Sequence, residues 1–155
     1  MKLDDLVAVS GIPGVFKLAL NKKNGLIVED LDSGKKTFRS SRKHQFTPMG
    51  SVSIYTEGGD SAMIGEIFKT MEALLNEQDT APPSVKASSF DLKDYFEKVL
   101  PNYDKNRVYV SDMKKVIKWF NFLNSRDLLD FEEEEEENEG EEGTEDKEEG
   151  DGNDD

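Results

Sequence analysis

Lys35, Lys36, Arg39, Arg42 and Lys43 put five bases into nine residues with no acid among them, and Phe38, His44 and Phe46 are interleaved or adjacent. Bases beside exposed rings suit a single-stranded nucleic acid, because charge follows the phosphates while flat rings stack on the bases. A second basic group, Lys105, Arg107, Lys114, Lys115 and Lys118, lies further along the chain. The competing reading of the first group is structural. A basic edge strand deters edge-to-edge pairing, and Phe38 and Phe46 would then belong to a core.

Other chemistries are poorly supplied. The sequence has no cysteine, which removes disulfides, thiol catalysis and thiolate metal sites together. His44 is the one histidine, in a basic loop, with no carboxylates spaced to chelate beside it. A calcium loop counted from Asp104 needs glycine at its sixth place and glutamate at its twelfth, where Tyr109 and Lys115 stand. Asp104 and Asn106 read instead as turn residues that satisfy backbone groups. Gly11 and Gly14 precede a strand, and no Gly-Lys-Ser/Thr follows, so they are corners rather than a phosphate loop. With no serine elbow and no tuned carboxylate pair either, the expectation is a non-catalytic protein with no cofactor and no metal.

The net charge of −14 is unevenly placed. From Phe131 onward the chain holds 16 acids and one base, Lys147, while residues 1–130 hold 18 acids and 19 bases. The acidity therefore belongs to the tail, and the run Glu132 to Glu137 predicts disorder. The opening residues do not read as a signal peptide, and no stretch approaches the roughly 20 apolar residues of a membrane span. The expected location is cytoplasmic.

The elements that must position these residues follow from periodicity. Leu3, Leu6 and Val7 suggest a short helix or turn. Phe16, Leu18 and Leu20 alternate as the inward face of a first strand, and Leu26 to Leu31 form a second. Lys35 to Ser40 read as a polar third strand, and Val52 to Thr56 as a fourth. Four short strands with tight turns predict a small SH3-like β-barrel. Residues 61–75 predict a closing helix with Ile64, Ile67, Phe68, Met71, Leu74 and Leu75 on one stripe. Pro82-Pro83 sits in a polar linker. Two further helices follow, at 89–100 with Ser88 as cap and from Ser111 onward, the latter burying Met113, Val116, Ile117, Phe120 and Leu123. Trp119 is expected to be largely buried beside them. The predicted organisation is a barrel with closing helix at 1–75, a linker at 76–88, a helical domain at 89–130 and a disordered acidic tail at 131–155.

The stretches "SGIPGVFKL", "NGLIVEDLDSGKK", "SVSIYT" and "LPNYDKNRVYVSDMKKVIKWFNFL" resemble a small domain-of-unknown-function family of Bacteroidetes-type bacteria. The resemblance covers about residues 3–130. It implies an N-terminal SH3-like barrel, a helical domain of winged-helix-like size and a variable acidic tail, and it supplies no activity and no site residues. Two functional expectations stand side by side. One is a binding protein for RNA or single-stranded DNA that uses both basic groups, with the tail modulating binding. The other is a protein-interaction adaptor with a solubilising tail. Neither involves a membrane.

Overall fold

The computed structural model describes residues 2–131. The tail expectation from 132 onward lies outside the described residues. Seven strands and three helices are present: β1 Leu6–Val9, β2 Phe16–Lys22, β3 Gly25–Asp30, β4 Lys36–Ser40, β5 Phe46–Pro48, β6 Ser53–Tyr55, β7 Ser61–Met63, α1 Ile64–Gln78, α2 Ser89–Val99 and α3 Val110–Ser125.

The first five strands form an antiparallel sheet in the order β4-β3-β2-β1-β5, and β6 and β7 form a separate ribbon. The two edges, β4 and β5, are not paired with each other. The sheet is therefore open, where the sequence predicted a closed small barrel. Three strands escaped the sequence reading: β1, β5 and β7, the last occupying Ser61–Met63 where the closing helix was expected to begin. β1 follows a single 3-10 turn, Leu3–Asp5, in place of the expected short helix or turn. Its run Leu-Val-Ala-Val carries no polar alternation because both of its faces are covered. β5 is only three residues long and ends in proline, so it has too little pattern to read.

Leu20 departs from its expected face. The β2–β3 register slips between Leu18 and Leu20, so Leu18 pairs with Val28 while Leu20 pairs with Ile27. One extra residue reverses every side chain beyond it. Leu20 is consequently about half exposed on the outer face, where Phe38, paired with Ile27 in the regular β3–β4 register, is exposed to a similar degree.

The helices follow their stripes. Ser88 Oγ accepts the Asp91 N–H at 3.1 Å and caps α2. At α3 the cap falls on Tyr109 rather than Ser111, and the Asp112 carboxylate accepts the Tyr109 N–H at 2.9 Å. The five apolar residues named for α3 are all buried. Leu6, Val15 and Met49 share one continuous core with the buried faces of α1, α2 and α3. The chain predicted as a linker also contributes to it. Residues 76–78 complete α1, and Val85 and Ala87 pack against the core. A smaller core, Val7, Val9 and Val28 with Phe16, Leu18 and Phe46 around it, lies on the other side of β1.

Because the N-terminal strands and the helices share one core, residues 1–75 alone should not fold. That fragment is expected to give a collapsed amide NMR spectrum. In the full chain, Phe120→Ala should cost about 3–5 kcal/mol in a single unfolding transition that sheet and helix signals report together. A well-dispersed spectrum from the fragment would show that the parts fold separately.

Candidate ligand groove between the sheet edge and the third helix

Chain segments far apart in the sequence meet along one groove of about 1060 Å³. Its first wall is the β1–β2 loop, residues 10–14, with Gln45 and Thr47 beside it. The loop is tied to the start of β5: Ser10 Oγ accepts the Gln45 N–H at 2.8 Å, and His44 Nδ1 lies 2.8 Å from the Ser10 carbonyl oxygen. Gly11 and Gly14 hold φ of 79° and 92°, the left-handed region that favours glycine. At Gly14 a second constraint applies. A Cβ there would come within 2.6 Å of the Phe122 ring, so only glycine lets this loop close onto α3.

The opposite wall is α3, which presents Asp112, Lys115, Lys118, Trp119 and Phe122. Val52, Ile54, Val108 and Val116 are among the apolar residues that line the space between the walls. Tyr55 and Arg107 also line it. The Tyr55 carbonyl accepts the Asp104 N–H at 2.9 Å, which fastens β6 to the α2–α3 connection. The Arg107 guanidinium lies 4.3 Å above the Tyr55 ring, and its Nε donates to Asp104 at 3.2 Å. The Asn106 N–H, and after it the Arg107 side chain, hold the Asp104 carboxyl below the usual carboxylate range. The other Asp104 oxygen accepts the Asn106 N–H, the turn role expected from the sequence.

The structure separates the predicted bases. Arg107, Lys115 and Lys118 line the groove; Lys105 and Lys114 do not. Lys105 is tied down by Tyr103, whose ring it covers at 4.1 Å, and by Glu97 at 3.8 Å. Lys115 and Lys118 have no ion pair among the described residues. Asp112 is the one acid along the groove, and its carboxylate already caps α3. The groove is therefore cationic over an apolar lining. In the first basic group, strand alternation divides what looked continuous. Lys36 and Phe38 face outward with Ile27 and Glu29, whereas Lys35 and Arg39 line a pocket on the inner face. Arg42 and Lys43 are exposed in the turn after β4. Their neighbour His44 contacts the groove loop. Phe46 packs on the small core, and Phe38 does not.

Trp119, expected to be largely buried, is partly buried and packs against the helical core. The five fully buried residues of α3 already fill its contact with the core, and Trp119 falls at the border of that stripe, along the groove. The sequence reading passed over Trp119, Tyr55 and the loop at 10–14 as functional residues. One signal was available: the loop, "SIYT" and "RVYVSDMKK" are among the stretches that carried the family resemblance.

Fold and groove together define a small sheet-and-three-helix protein with a basic groove that Tyr55, Trp119 and Phe122 help to line. Residues 3–49 match Domain of unknown function (DUF5606), and residues 52–123 match Domain of unknown function (DUF6852). The chain is similar to a protein from Bacteroides vulgatus with a solution NMR structure, at 31% identity over 83% of this chain and 90% of that one, with a TM-score of 0.67. No curated protein matches. The chain belongs to the same family as that Bacteroides protein. The two models meet at residues 50–51, so α1 is counted with α2 and α3.

Two substitutions test the walls. Gly14→Ala should lower stability by about 1–3 kcal/mol, because it combines a left-handed backbone with a clash against Phe122. Trp119→Ala should cost less than the roughly 3–5 kcal/mol of a fully buried tryptophan. Denaturant melts measure both, and the reverse ranking would put Trp119 in the core and the loop away from α3.

Proposed function

We propose that this is a non-catalytic binding protein that associates with single-stranded nucleic acid through the groove. The observation that carries the reading is Trp119 set among Lys115, Lys118 and the stacked Arg107–Tyr55 pair. The partly exposed indole offers a stacking edge along the groove, and the bases offer phosphate contacts beside it. Arg107 is already oriented by Tyr55 and Asp104, so little side-chain freedom is lost when it meets a phosphate. The strand order supports reading the sheet as an opened relative of the SH3-like barrel. The helices form a unit of winged-helix-like size, and a cytoplasmic location fits a nucleic-acid partner. A second reading, an adaptor for a protein segment, is favoured by the apolar lining of Val52, Ile54 and Val116 and by the unpaired edge of β5.

Trp119 is the single tryptophan of the sequence and reports directly on the groove. Short RNA and DNA oligonucleotides should quench its fluorescence. Lys115→Ala with Lys118→Ala should weaken binding to all sequences alike and flatten the salt dependence by roughly 0.7 per lost contact. Trp119→Ala, followed by anisotropy of a labelled strand, should remove about 1–3 kcal/mol of affinity. Absence of binding by the intact protein at low salt would leave the adaptor reading in its place.

The acidic tail enters the same reading as a tethered competitor for these bases. It holds 16 acids and no apolar residue beyond Phe131, so it can neutralise the cationic side chains but has nothing to occupy the apolar lining. Removing residues 132–155 should raise oligonucleotide affinity at low ionic strength, and the gain should shrink as the Debye length falls below about 10 Å. Equal affinities of the two forms at low salt would reduce the tail to a solubilising role.

A further inference from the structure

The inner face of the sheet holds an unsatisfied cation that the groove does not account for. Arg39 stands across from Leu26 on the face that carries Val28 and Thr37. Its Nε is buried and has no hydrogen-bond partner, and among the described residues Arg39 makes no ion pair. A guanidinium carries five donors and no acceptor, so a buried nitrogen without an oxygen is a cost that water or a ligand must relieve.

Arg39 lines a small pocket of about 180 Å³ together with Lys35, Ser33, Thr37 and Asp30, closed on the apolar side by Phe16 and Val28. No residue of this pocket lines the groove. Asp30 is its one acid. The Asp30 Oδ1 already accepts the N–H groups of Asp32 and Ser33 at 2.8 and 2.9 Å, and it forms no ion pair with Arg39. Ser33 Oγ accepts the Lys35 N–H at 3.2 Å, and its own hydroxyl donates to the Asp30 carboxylate, which the Ser33 and Asp32 N–H groups and then this hydroxyl hold below the usual carboxylate range. The pocket thus gathers two cations and the Thr37 hydroxyl beside one carboxylate that the turn already engages.

We propose that this pocket is a site for one tetrahedral oxyanion, a phosphoryl group, held by the Arg39 fork and the Lys35 ammonium with the Thr37 hydroxyl as a further donor. Its volume is a few times the roughly 30 Å³ share of one water, enough for a single tetrahedral anion and too small for a nucleoside. Donors from three residues, with the guanidinium able to supply more than one, suit a tetrahedral anion better than the two oxygens of a planar carboxylate. The group can come from free phosphate or from one phosphodiester of a longer molecule. The proposal does not depend on nucleic acid entering the groove.

The test is a titration of the isotope-labelled full chain with inorganic phosphate at constant ionic strength, followed by amide NMR shifts. Ser33, Lys35, Thr37 and Arg39 should shift and saturate with a midpoint of about a few millimolar, while Lys115 and Trp119 stay in place. Arg39→Gln should weaken the midpoint about tenfold, and Lys35→Ala, at an exposed position, should weaken it several-fold without touching the fold. A second arm uses a short oligonucleotide. If it shifts the same four residues at lower concentration, the source is a phosphodiester; if only inorganic phosphate does so, the source is the free ion. Straight-line shifts up to about 50 mM, or shifts unchanged in both variants, would overturn the site.

Discussion

β1 is the strand on which both halves of the protein rest. Alternate side chains of a strand point to opposite faces. Leu6 and Ala8 enter or border the helical core, while Val7 and Val9 form the small core inside the sheet. β1 also joins the β2–β3–β4 meander on one edge to β5 on the other. A strand covered on both faces and paired on both edges has no solvent-facing surface to adjust. A shift of one residue would exchange the contents of the two cores, so its register is fixed by everything around it.

The groove follows from that placement. The loop leaving β1 must turn toward the helices, and Gly14 lets it settle on the Phe122 ring. At the same C-terminal end of α3, Arg126 bonds both carboxylate oxygens of Asp32 at 2.9 Å and covers the Phe122 ring at 3.7 Å. The sheet is thus held to α3 at the 10–14 loop and at the β3–β4 turn. Between β6 and the α2–α3 connection, Tyr55 and Asp104 provide another tie. Each attachment joins the N-terminal strands or the ribbon to the helical end of the chain. The surface between them inherits its charge from α3, where the buried face is apolar and Lys115 and Lys118 remain outside.

Much of the helical half was legible in the sequence because its signals are local and strong. Stripes at helical spacing named the buried residues of α1, α2 and α3, and Ser88 marked a cap. The sheet was less legible for physical reasons. β1 is apolar throughout, and a short continuous run has no period to distinguish strand from turn. The inserted residue between Leu18 and Leu20 leaves no mark in an alternating pattern, yet it turns Leu20 outward. The site was legible in its chemistry and not in its geometry. Arg107, Lys115 and Lys118 were named, but Lys35, Lys36 and Arg39 were grouped as one cluster although the strand read for them sends alternate side chains to opposite faces. Trp119 looked like core because a helix wheel separates border from centre by only one side chain's width.

The long span of these ties also bears on how the chain reaches its native state. Arg126 and Asp32 are 94 positions apart, and the contact of Gly14 with Phe122 is similarly distant along the chain. Contacts of such separation require large loops to close before they contribute, and folding slows as their share grows. β1 is made before all three helices whose buried faces share a core with Leu6. Until those helices follow, the nascent protein exposes an apolar strand whose core is incomplete, and this interval is when it is open to mispairing.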